Sequence, residues 1–146
     1  MPSLRPVALL LLVLLPTACD GLSAENSGPR IPDTCVVKAD EPHKSTTSRF
    51  EEIVGKGWFN CSMALQDAEL EVEVHRRSGG DWQVYARTDR DWQSPTVRKK
   101  YLLSAPGPCS TGTFRTAARL SIHDRDGVYS RSQWYFSKVR SDPCKE

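Results

Sequence analysis

The chain has 146 residues, enough for one domain of ordinary size, and a formal net charge of +2. A nucleic-acid-binding domain needs a concentrated basic face, so this nearly balanced charge argues against a nucleic-acid partner. The chain contains five cysteines. Because five is an odd number, at least one cysteine is left over when the others pair within the chain.

The N-terminus has the pattern of an export signal, which we assign to residues 1–18. One cation, Arg5, precedes the nine apolar residues VALLLLVLL at 7–15. A membrane-spanning helix needs about 20 apolar residues, so this shorter run fits a signal peptide, with the small residues Thr17 and Ala18 after it. We therefore expect an exported protein, either extracellular or on the cell surface.

Cys19 follows directly, and residues 19–33 are rich in Gly, Pro, Ser and Asn, which predicts a flexible tether. With Ala18 before it, Cys19 resembles the lipid-carrying cysteine of a bacterial lipobox, although Pro16 stands where leucine is usual. We expect membrane contact only through such a lipid. Two alternatives remain open: cleavage after Ala24 removes Cys19, and cleavage after Ala18 leaves it as a free thiol.

The remaining residues, 34–146, are predicted to form an all-β domain. In ELEVEV, residues 69–74, apolar residues alternate with glutamates, which predicts a strand with one buried and one solvated face. The turn sequences SGGD at 78–81 and DRDG at 124–127 predict two hairpins. The predicted strands are 35–38, 58–64, 69–74, 82–87, 97–103, 113–123 and 129–139, whereas 50–54 and 62–69 are interpreted as connections. About seven strands of this kind predict an antiparallel β-sandwich.

Four cysteines belong to this domain: Cys35, Cys61, Cys109 and Cys144. They are too far apart for a C-x-x-C zinc or redox motif, and in an oxidising compartment they predict two disulfides. Residues symmetric about a hairpin turn lie opposite each other. The spacing therefore favours Cys35–Cys61 and Cys109–Cys144, the latter centred on the DRDG turn, while an inter-sheet Cys61–Cys109 bridge is the alternative.

No catalytic or metal-binding motif stands out. The three histidines, His43, His75 and His123, lack metal-ligand spacing and are expected to be exposed. The sequence contains no G-x-S-x-G, no phosphate-binding P-loop, no G-x-G-x-x-G and no H-E-x-x-H. We therefore expect no enzymatic activity, no cofactor and no metal site.

The aromatic residues suggest where a ligand binds. Trp58 and Trp134 are expected in the core, whereas Trp92 lies in a polar stretch and is expected on the surface. Because sheets are rigid and loops carry most binding residues, we expect binding at 88–96 and 104–112.

Residues 33–144 resemble the small secreted immunoglobulin-like β-sandwich proteins of actinobacteria. The resemblance is carried by WFNCS at 58–62, the alternating strand at 70–74, PCSTGTFR at 108–115, and Cys144 near the C-terminus. The resemblance implies an immunoglobulin-like fold and an exported protein. It does not indicate any particular activity.

Taken together, these features predict a secreted or surface-anchored non-enzymatic module. We expect a monomer that binds a protein, a glycan or another small ligand. The alternative is a secreted protease inhibitor that presents one of the two loops, 88–96 or 104–112, as a rigid substrate mimic.

Overall fold

The computed structural model describes residues 31–145. The expected signal peptide, Cys19 and most of the expected tether lie outside the described residues. The described residues form nine strands and one short 3₁₀ helix at Pro143–Lys145. The strands are β1 (Cys35–Lys44), β2 (Glu52–Cys61), β3 (Leu65–Ser78), β4 (Asp81–Gln93), β5 (Tyr101–Pro108), β6 (Thr113–Asp124), β7 (Tyr129–Arg131), β8 (Tyr135–Phe136) and β9 (Arg140–Ser141).

The strands form two antiparallel sheets, which confirms the predicted all-β class. The smaller sheet has the order β1-β2-β5, and the larger has the order β4-β3-β6-β7, with β8 and β9 also paired to β6. Nine strands replace the expected seven because the C-terminal part is divided into three short strands. No helix within residues 31–145 has the length and apolar character needed to cross a membrane.

The hydrophobic core lies between the two sheets. It contains alternate residues of the central strands, among them Ile53, Phe59, Leu70, Val72, Val74, Phe114, Leu120 and Ile122. Two glycines of β2 allow close contact with β3. A Cβ atom on Gly57 would lie 2.6 Å from Val72 Cγ2, and one on Gly55 would lie 2.7 Å from Val74 Cγ2. A side chain at either position would not fit, so the two sheets are in close contact at these glycines.

The structure forms the two disulfides that the spacing favours. Cys35 and Cys61 are directly opposite in the β1–β2 ladder, with their Cα atoms 4.1 Å apart. Cys109 follows β5 and bonds to Cys144 in the 3₁₀ helix, with a Cα–Cα distance of 5.8 Å. The inter-sheet alternative, Cys61–Cys109, does not form.

The prediction of one continuous strand over 129–139 is wrong. Between the short strands, serine side chains replace backbone groups in the ladder along β6. The Leu120 amide donates to Ser132 Oγ at 3.0 Å, and the Thr116 amide donates to Ser137 Oγ at 2.9 Å. The two serine amides donate in return to the carbonyls of Leu120 and Thr116. Because these hydroxyls accept ladder hydrogen bonds, the chain follows β6 without regular pairing.

The two segments expected to be binding loops are mostly strand. Strand β4 continues to Gln93 and β5 to Pro108, which leaves 94–100 and 109–112 as the connections. The interpretation of 50–54 and 62–69 as connections is also wrong in part, because β2 begins at Glu52 and β3 at Leu65.

The expected positions of the tryptophans are reversed. Trp92 packs against the core, with its ring centroid 5.4 Å from those of Phe59 and Tyr101. Trp58 lies on the outer face of β2, because Phe59 points inward and side chains alternate along a strand. Trp134 is outside the core and lies against Arg119.

Candidate functional site

The outer face of the larger sheet carries a dense set of ionic and aromatic side chains, which we call the charged face. It consists of Glu69, Glu71, Glu73 and His75 of β3, Trp82, Val84 and Arg87 of β4, Arg115 and Arg119 of β6, Arg131 of β7, Phe136 of β8, and the adjoining Trp134. The expectation that the β3 glutamates are solvated is wrong for two of them, since Glu71 is 2% and Glu73 is 6% exposed.

Three arginines from three different strands bind Glu71. Arg87 Nη2 donates to Glu71 Oε2 at 2.7 Å, and Arg119 donates to both carboxylate oxygens through Nη2, at 3.0 Å each. Arg131 Nη2 donates to Glu71 Oε1. Arg87 also lies 3.7 Å from Glu73 Oε1. The network therefore joins β4, β3, β6 and β7 across the sheet.

These hydrogen bonds keep Glu71 ionised. Burial raises the pKa of Glu71, but the hydrogen bonds and charges of Arg119 and Arg131 outweigh it and hold the pKa below its ordinary value of 4.5. The hydrogen bond to Glu71 correspondingly raises the pKa of Arg131. A carboxylate that is bound by three guanidinium groups and has a lowered pKa is poorly suited to accept and release protons near neutral pH. The hydrogen bonds instead fix the positions of the Glu71 and arginine side chains.

Of the three histidines, His75 is less exposed than expected, whereas the His123 side chain is 41% exposed. His75 Nε2 lies 2.7 Å from Glu73 Oε2, and its side chain is 12% exposed. His123 Nδ1 lies 2.8 Å from Asp67 Oδ1. Two of the three histidines therefore pair with carboxylates on this sheet. Within residues 31–145 no cluster of His, Cys, Asp or Glu side chains could hold a metal ion.

Arg115 differs from the other arginines of the charged face. Its guanidinium lies 4.4 Å from the centre of the Trp82 ring and 3.9 Å from that of Phe136. We call these three residues the aromatic clamp. Burial lowers the pKa of Arg115, and its Nε is buried without a hydrogen-bond acceptor among the described residues. The clamp therefore holds a cation between rings and gives it no carboxylate.

Exposed apolar side chains lie within and beside the aromatic clamp. Phe136 is 49% and Val84 is 57% exposed. Val84 and Arg115 are both register partners of His75, so they lie in one row across β4, β3 and β6. An unpaired cation beside apolar surface can bind a carboxylate that has an aliphatic or aromatic neighbour.

The alternation of Arg115, Ala117 and Arg119 in the sequence places both arginines on one face of β6. Their ring partners come from β4 and the C-terminal segment, and no local pattern connects those residues to β6.

The sequence matches no protein-family model, and the search of curated proteins found no match.

Proposed function

We propose that this protein is an exported, monomeric, non-enzymatic module that binds a protein partner through the charged face. The observation that carries the proposal is the cation of Arg115, which lies between two rings and forms no ion pair with any residue in 31–145. A carboxylate of the partner would bind Arg115, while an adjacent apolar side chain would contact Val84 and Phe136.

The composition of the aromatic clamp supports a protein ligand. Tryptophan and arginine are among the residues that contribute most to protein–protein binding, especially where they are packed and partly desolvated. Arg119 is fixed by Glu71 and stacks on Trp134, with 4.2 Å between its guanidinium and the ring centre. This neighbouring packing holds the sheet surface rigid, which lowers the entropy that binding costs.

Export is supported by the two disulfides, because such bonds persist mainly in oxidising compartments. An immunoglobulin-like fold for the domain is supported by the strand order. In constant-type immunoglobulin domains the first, second, fourth and fifth strands form one sheet, and the third, sixth and seventh form the other. Six of these strands keep that division here, whereas β4 pairs with β3, in the sheet to which variable-type domains add their extra strands.

Calorimetric titration with short peptides tests the proposed site. The probe is a capped pentapeptide with a central Glu between Leu residues, compared with the same peptide carrying Gln. A charge-assisted hydrogen bond contributes about 1.5 kcal/mol or more, so the Glu peptide should bind about ten-fold more tightly. Arg115→Gln should abolish this difference.

Arg125→Gln is the matched control, because Arg125 is an exposed cation in the turn after β6. It should preserve the preference for the Glu peptide. If the two peptides bind equally, or if Arg115→Gln and Arg125→Gln behave alike, the charged face is not an acidic-ligand site.

A second candidate function is protease inhibition, favoured by the bracing of the 94–100 connection. The amides of Ser94 and Arg98 donate to the carbonyls of Gln66 and Cys61, both at 2.8 Å. The Arg98 carbonyl also accepts a hydrogen bond from Asn60 Nδ2 at 2.7 Å. This connection is exposed and basic, so it could present Arg98 or a neighbouring lysine to a trypsin-like protease.

Incubation with a trypsin-like protease separates the two functions. Stoichiometric inhibition that is lost in Arg98→Ala would support the protease inhibitor and argue against the non-inhibitory binding module. Cleavage without inhibition would exclude the inhibitor. Arg98 has a φ of 61°, which differs from the extended backbone of a substrate, and so we rank this function second.

A further inference from the structure

The outer face of the smaller sheet, on the opposite side of the core, carries cations around an apolar centre. We call it the basic face. It consists of Val36 and Lys38 of β1, Lys56 and Trp58 of β2, Leu102 of β5, and Lys100 just before β5. Lys38, Trp58 and Leu102 form one row across the three strands.

The tryptophan at the centre contacts two lysines. Lys100 Nζ lies 4.1 Å and Lys38 Nζ lies 5.6 Å from the centre of the Trp58 ring. Around this ring, Val36 is 46% and Leu102 is 48% exposed. The face therefore combines apolar side chains and ammonium groups over a short distance.

The charges on this sheet are not evenly distributed along the strands. Asp40 lies opposite Lys56, and Glu52 lies at the far end of β2. Toward the other end, where β1 begins, the exposed cations Lys38, Lys100, Arg98 and Lys99 outnumber the one exposed acidic residue within 31–145 there, Asp33. Two hydrogen bonds hold Arg98 at this end. Its carbonyl accepts from Asn60 Nδ2, and its amide donates to the Cys61 carbonyl.

The chain also enters the domain at this end. The Ser62 amide donates to the Thr34 carbonyl at 2.8 Å, directly before β1 begins. The part of the chain that precedes residue 31 therefore joins the domain beside its basic end. Cys19, with its expected lipid, is in this preceding segment.

We propose that the basic face docks on an anionic phospholipid membrane surface. Lysines near such a surface are attracted to its negative potential, and tryptophan is favoured at the interface between lipid and water. A soluble anionic polymer would attract the lysines but would gain little from the exposed Val36 and Leu102. The apolar residues therefore favour a membrane as the partner.

This orientation would leave the charged face pointing away from the membrane, because the two faces lie on opposite sides of the core. The docking surface shares no residue with the proposed protein-binding site. A failure of one proposal is thus distinguishable from a failure of the other.

Co-sedimentation with lipid vesicles tests the inference. The full chain, purified after export, is mixed with vesicles of phosphatidylglycerol and phosphatidylcholine, and with vesicles of phosphatidylcholine alone. The measured quantity is the ratio of the two binding constants, because a lipid on Cys19 would contribute to both. Each lysine should contribute about five-fold, so the triple variant Lys38→Gln, Lys56→Gln, Lys100→Gln should lower the ratio about a hundred-fold.

The matched control is Arg77→Gln, Arg125→Gln, Lys138→Gln, which removes three exposed cations elsewhere and has the same net charge. It should lower the ratio far less, and Leu102→Asn should weaken binding to both kinds of vesicle. Equal losses in the two triple variants would overturn the inference. Binding to soluble dextran sulfate without binding to anionic vesicles would also overturn it.

Discussion

Glu71 shows how a residue on the polar side of a strand can be as buried as the core. Its charge is offset by Arg87, Arg119 and Arg131, and their side chains cover it. A single glutamate therefore determines the positions of three arginines on the charged face. Changes at this residue should affect both stability and the shape of that face.

Glu71→Gln keeps the side-chain shape and removes the charge that three arginines share. Removing one partner of a buried ion pair costs about 3–5 kcal/mol. Because the Arg87 and Arg131 side chains are 51% and 40% exposed, we expect the lower end, a loss of about 3 kcal/mol in the free energy of unfolding. Urea unfolding followed by tryptophan fluorescence measures this loss.

Glu51→Gln is the control, because it also removes a paired carboxylate. Glu51 bonds to Lys44, but its side chain is 77% exposed, so the unfolding midpoint should barely change. Equal effects of Glu51→Gln and Glu71→Gln would contradict the role assigned to burial.

The pH dependence of stability follows from the lowered pKa of Glu71. A carboxyl group whose pKa is lower in the folded state stabilises the fold fully above its unfolded pKa, here the ordinary value of 4.5. That contribution is lost as the pH falls through the folded pKa. We therefore expect the wild-type protein to lose more stability between about pH 7 and pH 3 than Glu71→Gln does. Parallel loss in both proteins, measured by urea unfolding, would refute this.

At the level of single strands, the glycines of β2 determine how closely the two sheets pack. Gly57→Ala would place a methyl group 2.6 Å from Val72 Cγ2, and overpacking of this kind costs about 1–3 kcal/mol. Val72→Ala removes the clashing methyl groups and should cost about 2 kcal/mol by itself. The double variant relieves the closest contact and leaves only the one at 3.0 Å to Ala118 Cβ, so it should lose less stability than the two single variants combined.

A double-mutant cycle measured by urea unfolding tests this coupling. Additive losses would mean that β2 shifts away from β3 to accommodate the new methyl group. In that case the close approach at Gly57 would not be what holds the sheets in place.

The C-terminal strands depend on the second disulfide. Cys109–Cys144 fixes the 3₁₀ helix that follows β9, and the Gly112 amide donates to Asp142 Oδ1 at 2.6 Å nearby. Cys109→Ser with Cys144→Ser should lower the free energy of unfolding by about 2–4 kcal/mol. Amide exchange should increase over 140–145 more than in β3. Uniform exchange along the chain would contradict a local role for this bond.

For the whole molecule, the sandwich separates two surfaces of different character. The charged face lies outside the larger sheet and the basic face outside the smaller one. Because the core lies between them, a partner bound to one face leaves the other free. The proposed orientation on a membrane follows from this separation.

Intact mass spectrometry of the mature protein tests its processing and its disulfides. Reduction should add the mass of four hydrogen atoms, because the domain contains two disulfides. A diacylglyceryl increment on Cys19 would establish the lipid anchor, whereas a mature chain beginning at Glu25 would exclude it. No change on reduction would contradict both pairings.

Local patterns in the sequence were sufficient to predict the fold class and the cysteine pairing. The alternation of Leu70, Val72 and Val74 predicts β3 because side chains in a strand alternate between its two faces. The DRDG turn predicts the reversal after β6, where Asp124 Oδ1 accepts the amides of Asp126 and Val128. Positions symmetric about a turn also predict which cysteines meet.

The local sequence could not indicate which face of each strand is turned toward the core. Two of the four tryptophans, Trp58 and Trp92, illustrate this, since a strand turns one face to the core and only the packing of the sheets decides which. Trp58 lies outside because Phe59 fills the core, and Trp92 lies inside because Phe59 and Tyr101 contact it.

The sequence by itself determined an all-β domain with two disulfides, because periodicity, turn residues and cysteine spacing are local or symmetric properties. The tertiary structure alone decided the candidate site. Glu71 is 48 residues from Arg119 and 60 from Arg131, and the rings around Arg115 belong to different strands. Such contacts depend on which strands become neighbours, and strand pairing is decided by the packing of the whole molecule.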